Sequence, residues 1–165
     1  MLQSISAQIR TRMRYLEVVD EGDRKDSTPR ARRLRQITPE TGRFLALMAA
    51  CAPQGEMVEI GISAGYSTLW MALAAQARGQ IVHTFEIDPY KIDLARETFV
   101  EAQVEDIVTM HEQDVREGLG FMSSIALCFL DCEKEIYHPC YDDILPIMGR
   151  GVCLLPIMRH RTRLK

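Results

Sequence analysis

Glu59-Ile60-Gly61-Ile62-Ser63-Ala64-Gly65-Tyr66-Ser67-Thr68 follows directly on an apolar run at 57–61 and leads into a helical pattern. It reads as a strand, a sharp turn and the start of a helix. Glycines at 61 and 65 let the backbone turn tightly and come close to a ligand, having no Cβ. The helix that starts there points its free N–H groups at the same spot. A two-glycine turn of this kind also serves plain packing in many α/β proteins. Its middle position is Ser63, where the dinucleotide-binding pattern GxGxxG has glycine.

Outward from this turn, short apolar runs alternate with helical patterns. The runs lie at 57–61, 80–86, 107–111, 125–131 and 151–155, and helices are expected at 65–77, 89–103 and 138–148, with a shorter turn near 115–119. Asp88-Pro89 and Thr38-Pro39 each supply an N-cap followed by proline at the first helical position. Such alternation demands right-handed crossovers and a mostly parallel sheet. The expected fold class is therefore α/β, a doubly wound Rossmann-like sheet. One domain is expected, with N-terminal helices over 1–53, a cofactor-binding core over 54–155 and a basic tail over 156–165. Leu2, Ile5, Ile9, Met13 and Leu16 form one stripe of an amphipathic helix, a surface for the body or a second subunit. The polar stretch 20–29, with Gly and Pro, reads as a loop.

Bulk properties narrow the field. The chain has 165 residues, 47% hydrophobic and 26% charged, which suits one globular domain. It has no apolar run of membrane-spanning length and no secretory signal at its start, so a cytoplasmic protein is expected. The net charge of −3 gives no general pull on nucleic acid. Arginines cluster near the start (Arg10, Arg12 and Arg14, then Arg30, Arg32, Arg33 and Arg35) and near the end, and read first as solvated faces. Cys51, Cys128, Cys132, Cys140 and Cys153 form no CxxC pair, so free thiols in a reducing compartment are the simplest account.

Three acids complete the pattern. Glu86 ends the second strand, where a carboxylate can accept both hydroxyls of a ribose. Asp114 follows the third strand, where it or a neighbouring amide could hold an adenine amino group. Asp131 closes the fourth, at the lip of the crevice where doubly wound sheets bind ligands. Each acid alone has an ordinary solvated reading; together with the glycine turn they suit one adenosine-like ligand.

The blocks 59–68, Phe85-Glu86-Ile87-Asp88 and Phe129-Leu130-Asp131-Cys132-Glu133-Lys134 resemble the small metal-dependent O-methyltransferases of the catechol and caffeoyl-coenzyme A type. The resemblance extends over about 36–155. It implies S-adenosylmethionine held by Glu59, Gly61, Ser63, Gly65, Tyr66 and Ser67, with Glu86 on the ribose, Asp114 and Val115 by the adenine, and Asp131 close by. It also implies a divalent cation such as Mg²⁺ on Asp131, Lys134 as general base, and a small hydroxylated, catechol-like substrate. A hard cation lowers the pKa of a bound hydroxyl and fixes its orientation.

The pattern breaks at the fifth strand, Gly151-Val152-Cys153-Leu154-Leu155-Pro156-Ile157-Met158. The family carries two further metal ligands, Asp-Asn, at this point, and neither is here. The expectation is an impaired metal site and a fold lacking the last strands, whose open edge would favour a homodimer. Leu155-Pro156-Ile157-Met158 can be encoded TTG-CCG-ATA-ATG, and the same bases read two positions later spell Ala-Asp-Asn. A shifted reading frame behind 156–165 is therefore expected, and the codons of the gene decide it. Two other classes compete. A non-catalytic cofactor-binding or assembly module would bind cofactor without turnover. A nicotinamide-dependent oxidoreductase would share Gly61, Gly65 and Glu86, against which stand Ser63 and the lack of a Tyr-x-x-x-Lys pair. RNA methylation rests on the arginine clusters alone.

Overall fold

A computed structural model of the chain describes residues 5–122 and 124–156, with backbone only at Lys134 and 150–153. Helix α1 spans Ala7–Lys25, capped by the Ser6 hydroxyl on the N–H of Ile9 at 3.2 Å. It overruns the expected loop at 20–29, which begins only at Asp26. Two i,i+4 pairs, Asp20–Arg24 at 2.7 Å and Glu21–Lys25 at 2.5 Å, carry the helix past Gly22. Asp26 then turns the chain by accepting from the Thr28 N–H at 2.8 Å. Helix α2 is Pro39–Cys51, capped by Thr38.

The remainder runs β1 (Glu56–Ile60), α3 (Tyr66–Arg78), β2 (Val82–Phe85), α4 (Pro89–Ala102), β3 (Val108–His111), α5 (Val115–Gly118), β4 (Ile125–Leu130), α6 (Tyr137–Ile144) and β5 (Met148–Pro156). The expected helix over 138–148 is shorter than its pattern. It passes into a 3-10 turn at Leu145–Ile147, where Pro146 has no N–H to continue it. Strand β5 consequently starts at Met148, paired with Ile125, ahead of the expected 151.

All neighbouring strands are parallel, in the order β3-β2-β1-β4-β5. Strand order reverses at β1 and β4, the topological switch point of a doubly wound sheet. Strand alternation divides the apolar residues between two cores. Met57, Leu127 and Phe129 join Ile9, Met13, Leu45, Leu69 and Phe99 from α1–α4 on one face. Val58, Ile60, Phe85, Cys128 and Leu130 join Val115, Cys140 and Ile144 on the other. Because both faces are covered, β4 is buried along its whole length. Among the described residues no helix is long and apolar enough to cross a membrane. Ile157 and the rest of the basic tail, where an altered reading frame is expected, lie outside the described residues.

Candidate functional site

The carboxyl ends of the strands open into one cavity of about 440 Å³. Its wall contains Gly61, Ser63, Glu86, Asp114, Val115 and Asp131, contributed by segments that follow four different strands. The volume falls within the usual range for small-molecule sites, roughly 300–1,000 Å³.

The turn after β1 is the most constrained part. Gly61 has φ +89°, and a Cβ on it would lie 2.7 Å from the carbonyl oxygen of Asp131. The glycine therefore serves a close approach between the ends of β1 and β4, in addition to any ligand. Ser63 holds φ +52°, a left-handed conformation that is uncommon for a side-chain-bearing residue. Its hydroxyl donates to the carbonyl of Leu34 at 2.6 Å and its N–H to Glu86 Oε2 at 3.2 Å, which ties the turn to two neighbours. Glu86 Oε1 in turn accepts from the N–H groups of Ile87 at 2.9 Å and Asp88 at 3.1 Å. A carboxylate has about four lone-pair sites; three here are taken by backbone, so the group is fixed while one oxygen can still accept.

Asp114 reaches the cavity as the N-cap of α5 and is gripped by Arg116 through its backbone N–H at 3.0 Å and its Nε at 2.9 Å. The Arg116 guanidinium holds this carboxyl below the ordinary aspartate range. Val115 is buried beneath it. Asp131 leaves β4 with its N–H on the carbonyl of Ile60 at 3.0 Å. Lys134 opens a 3-10 turn at Lys134–Ile136, and its side chain lies outside the described residues.

The other cofactor candidates stand off the cavity wall. Glu59 alternates to the opposite side of β1 from Ile60 and is fully buried. Its Oε2 accepts from the hydroxyls of Thr68 and Thr84, and Oε1 has no hydrogen-bond partner. Burial raises its carboxyl to about 7, against the pull of the Ser67, Thr68 and Thr84 hydroxyls. Ser67 is thus turned toward Glu59. Gly65 packs on the Phe99 ring, where a Cβ would come within 2.9 Å. Tyr66 is buried under α1 and donates its hydroxyl to Glu17 at 2.7 Å, with burial and that carboxylate pushing the phenol up.

The arginines of 30–35, which the sequence suggests are solvated, instead form a strap in which Arg30, Arg33, Leu34 and Arg35 line the cavity. Leu34 is buried and its N–H donates to Asp23 at 2.8 Å. Lys91 supports the strap by donating to the carbonyl of Arg33 at 2.6 Å, and Arg35 pairs with Glu133 across the mouth. The available signal was a single leucine among arginines, too small to separate from an exposed loop. Among the described residues, no group of three or more His, Cys, Asp or Glu side chains could hold a metal ion. A hard cation commonly wants about six oxygens, and the described carboxylates around Asp131 do not assemble a group of three.

Comparison with known proteins gives this geometry a lineage. The chain is 31% identical over 127 residues to a catechol O-methyltransferase of Niastella koreensis, covering 72% of this chain and 56% of that protein. It is 33% identical over 104 residues to a catechol O-methyltransferase of Mycobacterium tuberculosis, covering 60% and 46%. The chain thus spans about half the length of these curated relatives. The fold matches an O-methyltransferase from Bacillus cereus solved in complex with S-adenosylhomocysteine, with a TM-score of 0.74 at 20% identity, over 94% of this chain and 68% of that one. A family model described as O-methyltransferase matches residues 6–157, nearly the whole chain, and the chain belongs to that family.

Proposed function

We propose that the cavity binds S-adenosylmethionine and that the chain serves methyl transfer to a hydroxyl of a small substrate. The observation that carries this reading is the convergence of Gly61, Ser63, Glu86, Asp114 and Asp131 on one cavity at the switch point. When bound, the cofactor supplies a methyl carbon made electrophilic by its sulfonium. Glu86, immobilised by three N–H groups, would receive a ribose hydroxyl without having to reorient, and the Asp114–Val115 segment would border the adenine. The turn at 61–65 would cover the methionine portion. The strap at 30–35 would shield the reacting atoms from water. Lys134 is assigned by family resemblance to take the substrate proton. The described His, Cys, Asp and Glu side chains do not fit a divalent cation, having no group of three that could hold one.

Calorimetric titration with S-adenosylhomocysteine, and with NAD in parallel, tests the assignment. Binding of the first and not the second supports it, and unchanged affinity on removing Mg²⁺ with a chelator supports a metal-free cofactor site. Binding of NAD in preference would return the cavity to oxidoreductase chemistry. Retained binding without any methyl transfer to catechol-type hydroxyls would favour a non-catalytic cofactor-binding module.

A further inference from the structure

The strap carries four arginines, and the fold treats them differently. Arg32 is not part of the cavity wall and lays its guanidinium over the Tyr90 ring, 4.2 Å from the centroid. Arg33 lines the cavity but is engaged with its own loop, its Nε donating to the carbonyl of Thr28 at 2.8 Å. Arg30 and Arg35 both reach toward Glu133 across the mouth. Arg35 hydrogen-bonds it, whereas Arg30 stays 4.0 Å away, beyond hydrogen-bond length. Two cations thus share one carboxylate, which leaves these three groups with one positive charge in excess. Arg35 is also held under strain. Its φ of +52° lies in the left-handed region that residues with a Cβ seldom adopt, and such a conformation persists only where the surroundings impose it. Here they do so from both sides. The Arg33 carbonyl accepts from the buried ammonium-bearing side chain of Lys91, Leu34 is tied to Asp23 and Ser63, and the Gln36 N–H donates to Asp20 at 3.2 Å. Contacts from α1, α4 and the β1 turn therefore fix the backbone around Arg35 and hold its guanidinium at the mouth.

We propose that Arg30 and Arg35 read an acidic group on the substrate, so that the chain prefers hydroxylated molecules bearing a carboxylate or phosphate over neutral catechols. This assignment rests on the proposed function and names the substrate class of that site. A guanidinium presents paired N–H groups that match two oxygens of either acid. The bond to Glu133 occupies one nitrogen of Arg35, so the rest of its fork is open to a ligand. A guanidinium already fixed in place also loses little freedom when the ligand arrives. The acids deeper in the cavity oppose this attraction only in part, because each is already engaged. Glu86 holds three backbone N–H groups, Asp88 accepts from the Tyr90 N–H at 2.9 Å, and Asp114 is gripped by Arg116.

Calorimetry with 3,4-dihydroxybenzoate, 2-hydroxyphenyl phosphate and catechol, each titrated into the full chain with and without saturating S-adenosylhomocysteine, decides the matter. At least one acid is expected to bind about tenfold tighter than catechol, and the tighter of the two names carboxylate or phosphate. That preference should shrink about tenfold in Arg35→Asn, asparagine being tolerant of left-handed backbone. It should shrink likewise in Arg30→Gln and persist in Arg32→Gln, whose side chain stands outside the wall. Equal affinity for all three ligands, binding of none, or a preference that survives both Arg35→Asn and Arg30→Gln would overturn the proposal. So would an equal loss in Arg32→Gln, which would reduce the effect to general surface charge. A chain that binds no S-adenosylhomocysteine defeats the proposed function, while the acid preference measured without it still decides the role of the strap.

Discussion

Glu86 lines the cavity with three backbone N–H groups already on its carboxylate, so its replacement removes both the proposed ribose contact and the anchor of the β1 turn. Glu86→Ala is expected to weaken S-adenosylhomocysteine binding by about 2 kcal/mol, roughly thirtyfold, read by calorimetry. Glu59 acts in the opposite register, on stability. Its folded carboxyl titrates at about 7, above the ordinary value of 4.5, so the folded chain holds the proton more tightly than the unfolded one. Stability from this group is present below the unfolded pKa and is lost as pH rises through 7. The loss amounts to as much as about 3 kcal/mol. Urea unfolding between pH 5 and 8 should show this fall in the native chain and not in Glu59→Gln; an unchanged slope in the variant would assign it to another group.

At the scale of elements, α1 and the strap share the apolar core through Ile9, Met13, Leu16 and Leu34, and a few polar contacts fix them beside the cavity. The Tyr66 hydroxyl meets Glu17, and Arg12 meets Thr98 at 3.1 Å and Glu97 at 3.0 Å. Tyr66→Phe is expected to lower stability by about 1 kcal/mol, seen as a lower urea midpoint with unchanged slope, because Glu17 is partly exposed and can turn to water. Ser63→Ala removes the bond to Leu34 while keeping the strained backbone, and should raise the hydrogen-exchange rate of residues 30–35. Protection equal to the native chain would show that Lys91 and Asp23 suffice to hold the strap. The strands and the prolines after Thr38 and Asp88 were legible in the sequence because alternation and caps are local signals. Cavity residues at strand ends were legible too, since topology alone puts Gly61, Glu86, Asp114 and Asp131 on one rim. The strap was not, because its place depends on Asp20 and Asp23 reaching back to Gln36 and Leu34. The continuation of α1 through Gly22 was hidden for a similar reason, as charge pairs outweighed a glycine that propensity alone marks as a break. Glu59 and Tyr66 looked like ligand contacts because the motif block is contiguous, whereas strand and helix periodicity turn alternate members inward.

Across the whole molecule, the cavity draws on both halves of the sheet, so binding of the proposed cofactor should stabilise the chain as a unit. At a hundredfold excess over the dissociation constant, S-adenosylhomocysteine is expected to add about 2.7 kcal/mol. That corresponds to a rise in Tm of roughly 5–10 °C for a domain of this size. Calorimetry should show one transition shifting intact, with no response to NAD; a shift confined to part of a split transition would mean that the two halves unfold separately. The strand order has a further consequence, in time. Central β1 pairs on one side with β2, the next strand to be made, but its other side waits for β4, which leaves the ribosome only after β2, α4 and β3. Nascent chains that end before β4 carry the glycine turn with one flank bare, and closing it is a non-local event of the kind that slows folding and exposes intermediates to aggregation. The pairing of β4 that closes the cavity is therefore also the step that covers the bare flank of β1.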